Sequence, residues 1–313
     1  MEHTSLYRRY RPRRFSEIKG QDHVVAALQN AITQNRVFHT YLLSGPRGTG
    51  KTTAARVLSK ALNCEKVENG EPCCECESCL NIDSGTSFDL HELDAASNNK
   101  VDDIRDLLAK VSLGTPGRTK VYLLDEVHML TPGAENALLK TLEEPPNHVV
   151  FVLATTEPHK VVETIRSRAQ HLELNLLTAA KLEELVEEIS LDAGLGVDAD
   201  GLAHAVKAAR GSARDALSAL DKVFAGGSTS DDLTVTDLLE AIANCDSSKA
   251  LAAINSGIGK GREPRFIGES LLKVLRESFL LLMGVSLEEV SEQERKDLQG
   301  FIEQVSPAIV TNA

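Results

Sequence analysis

The stretch that most constrains the fold is residues 41–53, which read YLLSGPRGTGKTT. Its apolar beginning, Tyr41 to Leu43, predicts a short buried strand, and a G-x-x-x-x-G-K-T loop follows from Gly45. Apolar residues then recur at helical spacing, at positions 54, 55, 57, 58, 61 and 62. A strand, a glycine-rich loop and a helix in this order form a phosphate cradle. Nucleoside triphosphate binding is therefore favoured over a chance glycine-rich turn.

The residues of this loop match the chemistry of a bound nucleotide. Its glycines let backbone amides close around an anion, and the N-terminus of the following helix adds partial positive charge. Lys51 can reach the β- and γ-phosphates, and Thr52 can offer its hydroxyl to Mg²⁺. The predicted nucleotide-binding residues of the loop are Gly45, Gly48, Thr49, Gly50, Lys51, Thr52 and Thr53.

Two further predicted strands end in polar residues. The first covers residues 120–124 and is followed by Asp125 and Glu126. Asp125 is suited to hold Mg²⁺ through water, and Glu126 to orient and activate an attacking water. The acidic pair comes about 75 residues after the phosphate loop, a spacing that strengthens this interpretation. Thr155 follows the second strand, and its hydroxyl either reports on the γ-phosphate or simply ends the strand.

Cysteines are concentrated after the phosphate-loop helix. Four of them lie within 16 residues and are predicted metal ligands: Cys64, Cys73, Cys76 and Cys79. Four thiolates at this spacing can close a tetrahedral Zn²⁺ site, whereas disulfides are disfavoured in a cytosolic ATPase. Cys74 should point away from such a site, and the distant Cys245 is expected to be a small buried hydrophobic residue.

The charge of the chain limits where nucleic acid can bind. With a net charge of −12, any such contact needs a local basic site. Residues 7–14 carry five arginines, and this arm either binds nucleic acid or is a solvated or partner-facing lead-in. The segment 97–105 is a second candidate: its favourable N-cap residues are Ser97, Asn98 and Asn99, and Lys100 and Arg105 add charge. This helix start either receives a DNA phosphate or is an ordinary capped surface helix.

The periodicity divides the chain into an α/β part and a helical part. Strands are predicted near 41–44, 88–93, 120–124, 149–154 and 171–174, which indicates a parallel-sheet core over residues 1–177. Residues 178–230 are predicted to form a three-helix lid that ends in the flexible linker Gly226–Ser230, and residues 231–313 a further helical domain. Arg214, near the start of the third lid helix, either turns towards the phosphates or pairs with a surface carboxylate.

Composition excludes several other classes of protein. The hydrophobic fraction of 42% and the charged fraction of 26% are typical of a soluble globular protein. No apolar run approaches the roughly 20 residues of a membrane span, and the basic N-terminus lacks the apolar core of a signal peptide. We therefore expect a cytoplasmic protein without membrane contact.

In this order the motifs resemble those of the AAA+ clamp-loader ATPases, and most closely the gamma/tau subunits of bacterial DNA polymerase III. The matching motifs are Gly45–Thr52, Leu123–Glu126, Ala154–Thr156, Ser167–Arg168 and Gly211–Asp215, together with the four cysteines. Replication factor C small subunits lack these cysteines, and delta-prime subunits typically have a degraded phosphate loop. The family has Ser-Arg-Cys where this chain has Ser167-Arg168-Ala169, and the arginine still supplies the charge.

The resemblance implies roles for several residues. Thr155 is similar to the sensor-1 residue, Arg214 to the sensor-2 arginine, and Arg168 to the arginine finger that completes a neighbouring subunit's ATP site in trans. Residues 97–105 fall on the helix that tracks DNA inside the subunit ring. The adenine pocket of the family falls on Tyr7, Arg11, Pro12, Ile18 and Gln21.

The resemblance also implies a function. It is that of an ATP-hydrolysing motor subunit without a polymerase site of its own, which opens a β sliding clamp, loads it on primer–template DNA and releases it after hydrolysis. The implied cofactors are ATP, Mg²⁺ and Zn²⁺, and the implied partners are delta, delta-prime and further gamma/tau subunits. The helical collar of the family is longer than residues 231–313, so we expect a partial collar and a truncated chain.

Two other classes of function remain open. A structural subunit would bind partners and hold nucleotide statically, although the intact Lys51, Thr52, Asp125 and Glu126 argue against it. A P-loop helicase motor would act on junction DNA, although the cysteine cluster argues against that class.

Overall fold

The computed structural model describes residues 4–111, 114, 117–225, 233–259, 263–285, 287, 290 and 292–304. The predicted linker Gly226–Ser230 lies outside these residues. The chain divides into two compact units. The first comprises Met1–Leu177 together with Ser212–Arg214, and the second comprises Thr178–Gly211 together with Asp215–Ala313.

The first unit is built on a parallel sheet of five strands in the order β2-β3-β4-β1-β5. The strands are β1 (Thr40–Ser44), β2 (Leu90–Asp94), β3 (Lys120–Asp125), β4 (Val149–Thr155) and β5 (Gln170–Glu173). The three central strands read as nearly continuous apolar runs because both faces of a parallel sheet are covered by helices. The predicted α/β core is confirmed.

Seven helices of the first unit precede, connect or flank these strands among the residues that the structure describes. They are α1 (Leu6–Arg9), α2 (Asp22–Thr33), α3 (Lys51–Asn63), α4 (Glu77–Ser84), α5 (Val101–Ala109), α6 (Pro132–Glu143) and α7 (Glu163–Arg166). Short 3₁₀ turns cover Phe15–Glu17, Val127–Met129 and Pro158–Lys160. The helix α4, which lies within the cysteine-rich segment, has no counterpart in the sequence-based predictions.

The core lies on both faces of the sheet, because successive side chains of a strand point to opposite sides. Tyr41 and Leu43 of β1 pack in the layer formed with α2 and α3. Leu42 packs in the opposite layer, which is formed with α5 and α6. Each fully buried side chain of this size contributes about 1.5–3 kcal/mol to the free energy of unfolding.

The register of the sheet aligns the carboxyl ends of its central strands. Ser44, the last residue of β1, lies beside Thr155, the last residue of β4. On the other side of β4, Leu124 of β3 pairs with Leu153. The loops that leave β1, β3 and β4 therefore emerge at one edge, where open α/β sheets bind their ligands.

The second unit is helical in its described residues. Its helices are α8 (Ala179–Asp192), α9 (Ala199–Ala209), α10 (Ala213–Phe224), α11 (Leu233–Ala243), α12 (Ser247–Gly259), α13 (Pro264–Leu282) and α14 (Glu292–Gln304), with the first residues of α10 belonging to the first unit. Side-chain caps begin two of them: Thr178 accepts from the amide of Lys181 and Asp198 from that of Gly201. Among the described residues, no helix combines the length and apolar character that a bilayer-crossing segment needs.

Three local predictions are wrong. Strand β2 begins at Leu90 rather than Phe88, whose side chain is 74% exposed. Cys245 is exposed rather than buried, because it lies in a left-handed turn after α11. The N-cap position of α5 is Lys100 rather than residues 97–99, because Ser97 and the residues beside it are bound to Asp94 in the turn after β2.

Candidate functional site

The phosphate loop turns between β1 and α3, and its glycines are sterically required. Gly45 has φ +140°, and a Cβ atom there would lie 2.1 Å from the carbonyl oxygen of Leu174. Gly48 has φ +78°, and a Cβ atom would lie 2.1 Å from Ser212 Oγ. Both positions have left-handed backbones that favour glycine, and both lack room for a side chain. The loop can therefore keep this shape only with glycine at these two positions.

Lys51 lies at the first position of α3, with only 6% of the residue exposed. Its Nζ donates to the carbonyl oxygens of Gly45 at 2.7 Å and Pro46 at 2.9 Å. Burial lowers the pKa of Lys51, and the nearby carboxylates of Glu126 and Asp125 act in the opposite direction. The ammonium is thus held inside the loop, where phosphate oxygens can replace the carbonyls as its acceptors.

The other loop residues support this arrangement. The hydroxyl of Thr49 donates to the carbonyl oxygen of Pro46 at 2.9 Å, which fastens the loop to itself. Gly50 takes a left-handed conformation at the N-cap of α3, and Thr53 is buried in the first turn of that helix. The amides of this first turn point to where an anion can bind.

A threonine and an aspartate meet beside Lys51. Thr52 Oγ1 donates to Asp125 Oδ2 at 2.8 Å, although the two residues are 73 positions apart. A hydroxyl and a carboxylate are hard oxygen donors of the kind that Mg²⁺ prefers. The donor set at this point therefore fits Mg²⁺, with Thr52 and Asp125 as the residues that would hold it.

Glu126 follows Asp125 in a left-handed conformation, with φ +50°. Such a backbone in a residue other than glycine is costly and is found preferentially at functional sites. The turn directs the carboxylate towards β4, where its Oε2 accepts from Thr156 N at 3.2 Å and from Thr156 Oγ1 at 2.9 Å. The carboxylate of Glu126 therefore has a defined position at the end of the sheet.

Thr155 and His128 complete this edge of the sheet. Thr155 is fully buried; its Oγ1 accepts from Glu157 N at 3.0 Å and shares a hydrogen bond of 2.9 Å with His128 Nδ1. The same ring lies 3.4 Å from carboxylate oxygens of both Glu126 and Glu157. His128 has no role among the sequence-based predictions, and its position three residues after Asp125 was the available signal.

Among the residues predicted for the adenine side, Tyr7 and Arg11 lie close to Arg214. The guanidinium carbon of Arg214 is 4.8 Å from the ring centroid of Tyr7, and a Cβ atom on Gly48 would lie 3.1 Å from Arg214 Cβ. Arg11 and Pro12 are half-buried, and burial followed by the charge of Arg56 lowers the pKa of Arg11. Tyr7 and Arg214 thus pack on the side of the phosphate loop that carries Gly48.

Ile18 and Gln21 have structural contacts of their own. Ile18 is buried in the same core layer as the phosphate-loop helix. The Gln21 amide donates to the carbonyl oxygen of Asn175 at 2.7 Å and accepts from its backbone amide at 3.0 Å. Gln21 therefore ties the start of α2 to the segment after β5.

Arg168 is not joined to the phosphate loop by any contact among the described residues. Its NH1 group donates to the carbonyl oxygen of Thr164 at 2.7 Å, and its NH2 group pairs with Glu143 Oε1 at 2.7 Å. The side chain lies on the surface beside the end of α6. It is thus available at the surface rather than at this chain's own phosphate loop.

The four predicted metal ligands come together. The Sγ atoms of Cys64, Cys73, Cys76 and Cys79 all lie within 4.8 Å of one another. Backbone amides point at the sulfurs: Cys73 N donates to Cys64 Sγ at 3.2 Å, and Cys76 N to Cys73 Sγ at 3.3 Å. Four sulfur donors, oriented by amides, fit a tetrahedral Zn²⁺ ion.

The thiols of the cluster differ in acidity. The amide of Glu75, which donates to Cys73 Sγ, contributes most to lowering the pKa of Cys73 to about 6. Burial raises the pKa values of Cys64 and Cys79. A divalent metal would offset this difference, because a coordinating thiol is deprotonated outright.

Cys74 lies outside the cluster, as predicted. With φ +61°, its backbone turns the side chain away, and its Sγ contacts Arg13 O at 3.2 Å and Lys60 Nζ at 3.6 Å.

The first turn of α5, which the sequence analysis associates with DNA, is acidic. Lys100 N donates to Asp103 Oδ2 at 3.0 Å, and Arg105 pairs with Asp102 at 3.3 Å. Both residues of the Arg105–Asp102 pair are exposed, so the pair contributes little to stability.

Comparisons with known proteins agree with this fold and these motifs. A family model described as "DNA polymerase III, delta subunit" matches residues 20–178. The DNA polymerase III subunit tau of Bacillus subtilis (strain 168) is 42% identical over 311 residues, covering 95% of this chain and 55% of that protein. The DNA polymerase III subunit gamma of Buchnera aphidicola subsp. Acyrthosiphon pisum is 38% identical over 292 residues, covering 88% of this chain and 80% of that protein.

Among solved structures, the Thermotoga maritima RuvB Holliday junction branch migration motor aligns with a TM-score of 0.52 at 22% identity, covering 92% of this chain and 91% of that one. At this identity the match concerns the fold alone, a parallel-sheet core with flanking helices that is followed by further helices. The chain spans about half the length of several relatives, such as the tau subunit of Bacillus subtilis at 55%. These relatives are gamma or tau subunits of DNA polymerase III, and their matches cover 95% and 88% of this chain. The chain therefore belongs to the gamma/tau family of DNA polymerase III subunits.

Proposed function

We propose that this chain binds ATP with Mg²⁺ and hydrolyses it. The observation that carries the proposal is the 2.8 Å hydrogen bond between Thr52 Oγ1 and Asp125 Oδ2, beside the buried Lys51 and next to Glu126. Groups for phosphate binding, metal binding and water activation are thereby gathered at one edge of the sheet. A fold that only held nucleotide statically would not need the acidic pair.

Each residue has a distinct part in the proposed reaction. Lys51 exchanges its carbonyl acceptors for the β- and γ-phosphates, and the loop amides hold the remaining phosphate oxygens. Thr52 and Asp125 would hold Mg²⁺, which would neutralise the charge that develops between these phosphates. Glu126 orients the attacking water and accepts its proton. Thr155, at the carboxyl end of β4, shares a hydrogen bond with His128, and we assign it to contact with the γ-phosphate.

Two arginines extend the site. Arg214, which packs beside Gly48 and Tyr7, serves the nucleotide of its own chain. Arg168, which lies on the surface, serves the nucleotide of a neighbouring subunit. Because positioning and charge supply most of the rate in phosphoryl transfer, an isolated chain without the neighbour's arginine turns over slowly. We assign the adenine side to Tyr7, Arg11, Pro12, Ile18 and Gln21.

We further infer that the chain is a motor subunit of the DNA polymerase III clamp loader in the cytoplasm, without a polymerase site of its own. Membership of the gamma/tau family supports this role. Residues 178–230 act as a lid and residues 231–313 contribute to the collar that holds delta, delta-prime and further gamma/tau subunits together. ATP binding orders the assembly so that it opens the β sliding clamp on primer–template DNA, and hydrolysis releases it.

The decisive experiment separates ATP binding from hydrolysis. Lys51→Ala should weaken ATP binding about 10- to 100-fold, because a hydrogen bond from a charged group contributes about 1.5–3 kcal/mol. Glu126→Gln should leave ATP binding nearly unchanged and lower turnover about 100- to 10,000-fold, because the general base is lost. Isothermal titration and a phosphate-release assay measure the two quantities.

Matched controls are Lys140→Ala and Glu65→Gln, which change exposed side chains of the same charge. Both should behave as the wild-type chain does. Wild-type turnover in Glu126→Gln would contradict hydrolysis at this site. Tight ATP binding without turnover by the wild-type chain, even with the other loader subunits, clamp and primed DNA, would favour a static structural subunit.

A further inference from the structure

The N-terminal arm, residues 7–16, is bound along the cysteine module, residues 64–79. Arg14 NH2 donates to the carbonyl oxygen of Cys73 at 2.9 Å, and Arg13 NH2 to that of Cys74 at 3.3 Å. In the opposite direction, Cys74 Sγ donates to the carbonyl oxygen of Arg13 at 3.2 Å. The guanidinium groups of two arginines of the arm are thereby hydrogen-bonded to backbone oxygens of the cysteine module.

Glu71 fixes the arm a second time. Its Oε2 accepts from Phe15 N and its Oε1 from Ser16 N, both at 2.8 Å, while Oε1 also accepts from Gln29 Nε2 at 2.9 Å. Hydrogen bonds to a carboxylate are about twice as strong as those between neutral groups. Phe15, between these contacts and the core, is fully buried. One carboxylate therefore joins the arm, α2 and the cysteine module.

An ion pair between a buried lysine and a surface carboxylate connects the arm to the phosphate-loop helix. Lys60 of α3 is only 1% exposed, and its Nζ lies 2.8 Å from Asp83 Oδ1 on α4. The other oxygen of Asp83 pairs with Arg13 at 2.7 Å. Removal of the Asp83 carboxylate would leave the buried ammonium of Lys60 uncompensated, which is unfavourable. The carboxylate of Asp83 therefore joins the arm to α4 and to the phosphate-loop helix α3.

The other end of the arm reaches the nucleotide side. Tyr7 stacks against Arg214, which packs beside Gly48 of the phosphate loop. Arg11 lies close enough to Arg56 and Glu92 for their charges to affect its pKa. A displacement of residues 13–16 would move Tyr7 and Arg11, since only a few residues separate them.

We propose that the cysteine module, with its metal bound, is a positioning device for nucleotide binding: it holds the arm so that Tyr7 and Arg11 lie beside the phosphate loop. Metal binding fixes residues 71–76, whose backbone oxygens accept from Arg13 and Arg14 and whose Glu71 carboxylate accepts from the amides of the arm. Loss of the metal releases these acceptors together. The inference rests on the proposed nucleotide binding, and it assigns the module a part in that binding beyond local stability.

The rate of cleavage by trypsin reports docking of the arm. Trypsin cleaves after Arg13 and Arg14, whose side chains are bound to the module when the arm is docked. Glu71→Ala removes three hydrogen bonds without touching a cysteine. We expect cleavage at these sites to become about tenfold faster or more in this variant, because the cleavage rate is proportional to the fraction of chains whose arm is released. Removal of Zn²⁺ from the wild-type chain by a chelator should have the same effect, and added Zn²⁺ should reverse it. The control is Glu75→Ala, which changes an exposed carboxylate on the same loop.

Nucleotide affinity is measured in parallel by titration with ADP. If the arm is docked only a tenth of the time, the apparent Kd rises about tenfold. We expect this rise in Glu71→Ala and after removal of Zn²⁺, with no change in Glu75→Ala. In Tyr7→Ala, removal of Zn²⁺ should cost much less affinity, because the side chain that the module positions is already absent.

The outcomes distinguish this inference from the proposed function. If the untreated wild-type chain does not bind ADP, the proposed nucleotide binding itself fails. If it binds ADP, and Glu71→Ala or removal of Zn²⁺ accelerates cleavage of the arm without weakening ADP binding, the positioning role is overturned. Equal loss of affinity in the wild-type and Tyr7→Ala backgrounds would likewise overturn it, because the module would then act by another route.

Discussion

At the scale of single residues, the acidic pair is held by a set of contacts from two neighbouring strands. Glu126 has a left-handed backbone and is bound by Thr156, while the buried Thr155 is joined to His128. The imidazole lies within 3.4 Å of Glu126 Oε2. His128 therefore connects the residue proposed to contact the γ-phosphate with the residue proposed to activate water. We infer that it is a positioning residue for both.

Substitution of His128 tests this role. His128→Ala removes the hydrogen bond to Thr155 and a neighbour of Glu126, so we expect turnover to fall about 10-fold or more, in line with one lost hydrogen bond to a charged or buried partner. ATP affinity should change little, because Lys51 and the loop amides are untouched. Steady-state kinetics and titration separate the two effects. The control is His159→Ala, whose ring is 73% exposed; an equal fall in turnover there would contradict a specific role for His128.

At the scale of elements, the cysteine module is a short irregular segment that ends in α4. Its four sulfur atoms lie within 4.8 Å of one another, and few apolar side chains of this segment are buried. A metal can supply the stability that so small a segment cannot obtain from a hydrophobic core. The odd cysteine, Cys74, is turned out of the cluster and towards Lys60.

Metal analysis of two variants tests the assignment of ligands. Purified wild-type chain should contain about one Zn²⁺, held by four thiolates. Cys74→Ser should keep that content, because its sulfur lies outside the cluster, whereas Cys76→Ser should lower it. Equal loss of zinc from both variants would mean that the ligand set is wrong, and absence of zinc from the wild-type chain would exclude zinc as the metal.

At the scale of the whole molecule, the proposed active site is distributed over more than one chain. Lys51, Thr52 and Glu126 lie at the sheet edge, whereas Arg168 is paired with Glu143 on the surface. Because this exposed ion pair is weak, the phosphate of a nucleotide bound to a neighbouring subunit can displace Glu143 at little cost in free energy. The arrangement favours action of Arg168 in trans.

Mixing two variants within the loader tests that arrangement. Arg168→Ala should bind ATP almost normally but lower the ATPase rate of the assembled loader on the order of 10³-fold, because a finger acts chiefly on the transition state. Assembly together with Lys51→Ala subunits should restore a fraction of the rate, since each variant supplies the half-site that the other lacks. Loss of ATP binding by the isolated Arg168→Ala chain would instead mean that Arg168 acts within its own chain or supports the fold.

Features that depend on short stretches of chain could be predicted from the sequence. Apolar runs and glycine spacing predicted the five strands and the phosphate loop, and the spacing of the cysteines predicted a metal-binding cluster and the exclusion of Cys74. The strands, the shape of the loop and the clustering of the four cysteines are confirmed, because strand formation, tight turns and ligand spacing are governed by neighbours within a few residues. Metal binding itself stays a prediction.

Contacts between residues that are distant in the sequence could be read only from the tertiary structure. Thr52 and Asp125 are 73 positions apart, and Phe15 and Glu71 are 56 apart, yet each pair is hydrogen-bonded. His128 gained its neighbours in the same way. The physical reason is that strand order and register bring these residues together, and many orders are compatible with one pattern of local periodicity. The contacts that hold the arm on the cysteine module likewise join residues that are far apart in the sequence.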